Sequence, residues 1–379
     1  MEILYENFLS LFSVEGLKYV IMWIIGGILI YLAIKKDMEP TLLLPMGFGA
    51  ILVNIPFSGA ISQTIDGFFQ EGALSTLFDA GIANELFPLI LFIGIGAMID
   101  FGPLLTNPKL MIFGAAAQFG IFFTLCLASM FFSPEEAASI GIIGAADGPT
   151  AIVVANKLLG PDSNITGAIM VAAYSYMALV PIIQPPVIKL LTTKKERMIR
   201  MPYEGKSVSK TTKILFPIII TVVAGVIVPE SVSLIGFLMF GNLIRECGVL
   251  DSLSETAQKV LANLVTLFLG ITIACQMQAE KFLQPATLLI LGLGLFAFIF
   301  DTAGGVLFAK FLNLFLKKKI NPMIGAAGIS AFPMSGRVVH KMGIKEDPQN
   351  FLLMHSIGVN VSGQIASVIA GGLILKFFM

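Results

Sequence analysis

One acid stands in an otherwise apolar stretch near the middle of the chain. In "IGIIGAADGPTAIVV", Ile140 to Val154, Asp147 is followed at once by Gly148, Pro149 and Thr150. Proline removes a backbone donor and crowds the turn before it, so a helix carrying this string breaks and frees carbonyl oxygens. Glycine lets the backbone come close to a ligand. A carboxylate, a hydroxyl and freed carbonyls form an all-oxygen donor set that suits a dehydrated monovalent cation such as Na+. An acid at membrane depth costs about 3 kcal/mol on insertion scales and is functional by default. Asp147 also suits the N-cap of a half-helix starting at Gly148; capping and ion binding are compatible.

A second polar set lies in the last apolar segment, "FLLMHSIGVNVSGQIASVIAGG", with His355, Ser356, Asn360, Ser362, Gln364 and Ser367. Asn360 and Gln364 are one turn apart, with Ser356 a turn before and Ser367 a turn after. Such a stripe either joins helices or lines a pathway. "AAYSYMALVPIIQPP" supplies Tyr174, Ser175 and Tyr176, and Pro181 predicts a bend. A tyrosine hydroxyl in a bundle can ligate a cation or pass a proton; it can equally be a core aromatic with a satisfied hydroxyl. Asp301, alone in "FAFIFDTAGG", reads as a second ion ligand or the partner of a basic group. Asp100, Arg245 and Glu246 read as interfacial, and His340 receives no role.

The elements that must hold these residues are membrane helices. Of 379 residues, 56% are hydrophobic and 13% charged, and the mean hydropathy of +0.90 is far above the soluble range. The fold class is therefore an all-α polytopic membrane protein. Apolar runs long enough to cross about 30 Å of hydrocarbon predict spans at 17–34, 41–57, 86–101, 110–131, 165–190, 214–229, 231–244, 256–275, 285–314 and 350–376. Two Gly- and Pro-rich stretches, 137–160 and 322–345, read as broken or re-entrant segments, which membranes tolerate only inside protein or beside water. "MEILYENFLSLF" reads as an interfacial helix, with no cleavable secretory signal. A net charge of zero argues against nucleic acid as a partner. Cys126, Cys247 and Cys275 are too few and too scattered for a disulfide framework or a zinc site. No P-loop is present, so energy comes from an ion gradient or a partner's chemistry.

Lys194, Lys195, Arg197, Arg200, Lys206, Lys210 and Lys213 make one loop strongly basic and predict a cytoplasmic location. Lys35, Lys36 and Lys317 to Lys319 belong on the same side. The acidic loop 58–85 belongs outside, and so do both termini. The chain also repeats itself. Shifted by 184 places, Gly144 falls on Gly328, Pro149 on Pro333, Val154 on Val338, Lys157 on Lys341 and Tyr176 on Asn360. Acids (Glu135, Glu136) precede the first broken segment and lysines the second, so the two copies read as inverted-topology repeats with a midplane site. The divisions are 1–83 (interfacial helix and first spans), 84–190 (repeat 1), 191–253 (basic loop and linking helices) and 254–379 (repeat 2). In the second copy Ala331 stands opposite Asp147, while Ser330, Ser335 and Arg337 supply polarity. Arg337 is either a contact for an anionic substrate or a side chain snorkelling to the cytoplasmic face.

"IGIIGAADGPTAI", "VAAYSYMALVPIIQPPV", "FGNLIRECGV", "EKFLQP" and "NFLLMHSIGVNVSG" together resemble the β subunits of biotin-dependent, sodium-pumping decarboxylases, from about residue 15 to the end. These act in oxaloacetate, methylmalonyl-CoA, glutaconyl-CoA and malonate decarboxylases. The resemblance implies a subunit of a bacterial cytoplasmic membrane that decarboxylates carboxybiotin, consumes a proton and exports Na+. Asp147 falls on the family's key aspartate, Tyr176 on the second tyrosine of its YSY motif, and Asn360 and Ser367 on its late motif. Taken with the residue reading above, the expected Na+ ligands are Asp147, Thr150, Asn360, Ser362 and Ser367, the expected catalytic residues Asp147 and Tyr176, and the expected carboxybiotin contacts Arg337 and Ser335. The implied partners are a biotin carrier, a carboxyltransferase α subunit, a small γ/δ-type membrane subunit and further copies of the chain. No biotinyl-lysine motif is present, so the biotin belongs to a partner. Ala145 replaces a common glycine and Val359 a common proline, and the second change bears on whether the last helix breaks near Asn360. The rival reading is a stand-alone Na+-coupled transporter, a carboxylate symporter or a Na+/H+ antiporter; a plain membrane anchor fits the basic loop but not the buried polar set.

Overall fold

In hydrocarbon a helix satisfies its own backbone, so apolar runs of this length fold as helices. The computed structural model describes residues 14–65, 67–203 and 207–379; the expected interfacial helix at 1–12 and Lys206 lie outside the described residues. The principal helices are α1 (Val14–Lys36), α2 (Pro40–Val53), α3 (Ala73–Ala83), α4 (Leu86–Met98), α5 (Pro108–Ala128), α6 (Pro134–Gly141), α7 (Gly148–Leu159), α8 (Asn164–Leu191), α9 (Lys210–Ile227), α10 (Val232–Glu246), α11 (Asp251–Met277), α12 (Pro285–Phe315), α13 (Met334–Glu346) and α14 (Leu353–Phe378). A small hairpin pairs Gln63–Ile65 with Phe68–Gln70 in the acidic loop. Among the described residues seven helices are long and apolar enough to span, or eight if α3 and α4, bent by 62°, count as one. The expected spans at 41–57 and 231–244 are the shorter helices α2 and α10, of 14 and 15 residues.

Both broken segments take the irregular form that their glycines and prolines dictate. After α6 a 3-10 turn covers Ile142–Ala145, Ala146 adopts the left-handed conformation (φ 53°), Asp147 is extended, and α7 begins with Gly148 and Pro149. The second segment has a 3-10 run over Pro322–Gly328, then extended Ile329, a bend at Ser330 and a turn at Phe332 and Pro333 that leads into α13. α8 continues through Pro181, Pro185 and Pro186, and α14 runs unbroken past Val359 and Asn360.

The basic loop is not free. Arg197 pairs with Glu346 at 2.8 Å, and Arg200 grips Asp347 through two bonds of 2.5 and 3.1 Å. Asn321 and Asn350 both donate to Arg197 O. These contacts tie the loop after α8 to both ends of the second broken segment. Lysines 189, 310, 341 and 345 gather at the same end, while α14 finishes at the other, with Lys376 on Ile227 O. The start of α1 and the end of α14 therefore share the end opposite the basic loop.

The Arg200 hydrogen bond holds the Asp347 carboxyl below the ordinary carboxylate range. A depressed carboxylate contributes stability above its unfolded pKa and loses it as pH falls through the folded value. The clamp should hold at pH 5 and loosen only below about pH 4, the ordinary aspartate value. Hydrogen exchange of residues 197–201, corrected for intrinsic rates, measures this; loosening already at pH 6 would contradict it.

Candidate functional site

The two broken segments meet. Ser330 donates from both its backbone N–H (3.1 Å) and its hydroxyl (2.8 Å) to Ala145 O. Two residues on, Asp147 is 3% exposed at the N-cap position of α7, yet its side chain makes no capping bond to that helix. Its Oδ2 instead accepts from Thr150 Oγ1 at 2.6 Å and lies 3.4 Å from Ser367 Oγ of α14. Ser367 Oγ is also 3.1 Å from Gln364 O.

Gly148 is needed for close approach. A Cβ there would lie 2.3 Å from the ring of Tyr174, which is fully buried across the break. The Tyr174 hydroxyl has no hydrogen-bond partner among the described residues, and Asp147 is within its electrostatic reach. Along α14, Asn360 donates to Ile329 O at 2.7 Å and Gln364 donates to Ser330 O. Both amides thus brace the second segment, and both leave a buried side-chain oxygen, Asn360 Oδ1 and Gln364 Oε1, without a partner among the described residues. Orphaned buried oxygens are costly, and here they share a helix face with Ser367.

The other expected site residues fall elsewhere. Ser362 bonds Val359 O and Leu110 O and faces α5, away from Asp147. Tyr176 turns its hydroxyl to Leu291 O of α12 and its ring to Gly294 and the 3-10 turn before Asp147. Ser335 is buried on Ala327 O. Arg337, two residues later and so on the opposite face of α13, is exposed and borders a cavity of about 400 Å³ at the basic end. Arg337 and Ser335 are therefore not brought together. Tyr174 and Gln364, by contrast, sit at the centre; their signal was present in the YSY motif and the polar stripe, but spacing alone did not favour them.

Asp301 is the other deeply buried acid, 1% exposed in the middle of α12. Its Oδ1 accepts from Ile121 N at 3.2 Å, just after α5 is interrupted at Gln118. Oδ2 is unpartnered among the described residues and abuts Gly144, where a Cβ would come within 2.5 Å of it. Asp301 thus caps a half-helix from outside and packs on the Asp147 segment. An amide keeps the accepting oxygen, so Asp301→Asn should retain thermal stability in detergent, whereas Asp301→Ala should lose about 2 kcal/mol. A loss of Na+ response in the asparagine variant alone would make Asp301 an ion ligand instead. Near the ends of α4 and α10, Asn242 and Arg245 donate to carbonyls of residues 96 to 99, and Lys213 bridges Asp100 and Glu246.

A helical multi-pass membrane protein with a buried carboxylate among hydroxyl and amide oxygens belongs to the class that handles a cation or proton at membrane depth. More particularly, the chain belongs to the family of Na+-transporting oxaloacetate decarboxylase beta subunits, whose model matches residues 18–378. It is 51% identical over 356 residues to the methylmalonyl-CoA decarboxylase subunit beta of Veillonella parvula, covering 94% of this chain and 92% of the relative. It is 48% identical to the corresponding subunit of Propionigenium modestum, covering 95% and 94%. The oxaloacetate decarboxylase beta chain of Klebsiella pneumoniae is 45% identical, with 96% of each chain covered.

Proposed function

We propose that this chain takes CO2 from carboxybiotin and couples that step to Na+ export from the cytoplasm of a bacterium. The observation that carries the reading is Asp147: a buried carboxylate beside a chain break, met by two hydroxyls and, among the described residues, by no basic side chain. Such a group needs a cation or a proton. Na+ is the cargo, held by Asp147 with Thr150 and Ser367, and Asn360 Oδ1 supplies a further oxygen along the same face. Ser362, turned toward α5, acts on this site only through α14.

Carboxybiotin arrives through the cavity at the basic end, where Arg337 receives its carboxylate. Ser335 supports that contact from behind by fixing the start of α13. In the chemical step the bond between the ureido nitrogen and the carboxylate carbon breaks. The electron pair stays on nitrogen, nitrogen takes one proton, and CO2 leaves. Tyr176, with its hydroxyl parked on a carbonyl, is the proton donor, and water recharges it. The protein is built from inverted repeats at 84–190 and 254–379, with the site between them at the midplane. In support, Ala146 moved by 184 places is Ser330, the residue that joins the two segments. Residues 1–83 and 191–253 flank and link the repeats.

The working assembly adds a biotin carrier, a carboxyltransferase α subunit, a small γ/δ-type membrane subunit and further copies of this chain. The stand-alone transporter is not favoured, since the relatives are named as decarboxylase subunits. The test is the complex in sealed vesicles, supplied with carboxybiotin. CO2 release that requires Na+ and fills the vesicles with Na+ supports the reading. Na+ movement without any need for carboxybiotin would return the transporter.

A further inference from the structure

The cavity at the basic end holds an unused pair of acids. Four basic side chains, Lys189, Arg337, Lys341 and Lys345, border it together with Asp37 and Glu39. None of the four has a carboxylate within 4 Å among the described residues. The acids come from the turn between α1 and α2. Asp37 and Glu39 both adopt positive φ, 52° and 38°, a conformation that side chains other than glycine rarely take. Between them Met38 is buried against Ala178 of α8, which pegs the turn in place. Strain of this kind persists where surrounding structure over-determines it, and it clusters at ligand sites. Burial pushes the Glu39 carboxyl above the ordinary carboxylate range, Arg337 opposes this, and Asp37 adds to it. Glu39 therefore feels Arg337 without being locked to it.

A receptor for an anion has little use for its own carboxylate unless that carboxylate competes. We propose that Glu39 is an internal counter-anion: it yields Arg337 to an incoming carboxylate and takes Arg337 back when that carboxylate leaves. This rests on the reading of the cavity as the place where carboxybiotin arrives. The ligand enters as an anion and, having lost CO2 and gained a proton on nitrogen, leaves neutral. The returning Glu39 carboxylate then removes the ligand's main anchor and favours release. The same acids disfavour small inorganic anions, which would otherwise collect among four cations. Asp37 shares the field, and Lys189, Lys341 and Lys345 are the remaining charged groups facing Glu39.

The test uses the complex purified from its membranes, with freshly prepared free carboxybiotin. Glu39→Gln should lower KM for carboxybiotin about two- to fivefold, the range of a partly exposed charge interaction. It should lower kcat and make phosphate a stronger competitive inhibitor, whereas Glu39→Asp should stay close to the parent. In the parent, KM should fall as pH is lowered through the raised Glu39 value, and in Glu39→Gln it should be low and flat. An unchanged or raised KM in Glu39→Gln overturns the proposal; if that variant does not assemble, a pH-independent KM in the parent overturns it. Arg337→Gln separates the two levels. If it leaves KM unchanged, the cavity does not receive the ligand and the functional reading fails there. If it raises KM while Glu39→Gln changes nothing, only the counter-anion is wrong.

Discussion

Asp147→Asn should lower Na+-dependent decarboxylation by the assembled complex about 100- to 1,000-fold. The asparagine is close to isosteric, so Thr150 and Ser367 keep their positions. What is lost is the charge. Removing one partner of a buried charge interaction costs about 3–5 kcal/mol, and each 1.4 kcal/mol is a factor of ten. Na+ should stabilise the parent against heat and leave the variant's melting temperature unmoved. Asp147→Glu keeps the charge but lengthens the arm, so part of the activity should return with a higher Na+ requirement. An active asparagine variant with an unaltered Na+ response would put the ion elsewhere, and the orphaned oxygens of Asn360 and Gln364 would be the next place to look.

Gly148→Ala is expected to be nearly as damaging, for a steric reason. The new methyl would lie 2.3 Å from Cε2 and Cζ of Tyr174, well inside contact distance. Tyr174 is fully buried and cannot swing clear without moving α8. Overpacking of this kind costs about 1–3 kcal/mol, and the displacement falls on the residue beside Asp147, so turnover should drop by more than tenfold as well. Tyr174→Phe should not relieve the clash, because the ring atoms remain. Tyr174→Ala should relieve it, although alone it costs about 3–5 kcal/mol in lost burial. A double-mutant cycle therefore reads the contact directly: the two changes together should cost less than their sum. Strict additivity of melting temperature and rate would show that the glycine matters for some other reason.

Much of this protein is legible in the order of its residues alone. Mean hydropathy and run length announce membrane helices, since hydrocarbon leaves the backbone little alternative. Gly148 and Pro149 announce the break beside Asp147 through local sterics. The break in α5 at Gln118 is a different case. Its cause, the Asp301 carboxylate on Ile121 N, comes from α12, and neither stretch carries a local signal. The prolines of α8 lie inside one continuous helix, Asn164–Leu191.

The same division runs through the site. Tyr174 and Tyr176 are two residues apart and so point to opposite sides of α8. Which of them lies against Gly148 and the Asp147 carboxylate depends on how that helix is rotated, and rotation is set by its neighbours. The same holds for Ser362 and Ser367 on α14, and for Ser335 and Arg337 on α13. The sequence by itself determined the membrane class, the family, the two broken segments and the acid at the first of them. The family follows from its motifs; the rest follow from composition and from the conformational limits of single residues. Only the tertiary structure decided which hydroxyls reach that acid, which tyrosine covers it and which carboxylates face Arg337. Those contacts join residues far apart in the chain, and they exist only once the helices have packed.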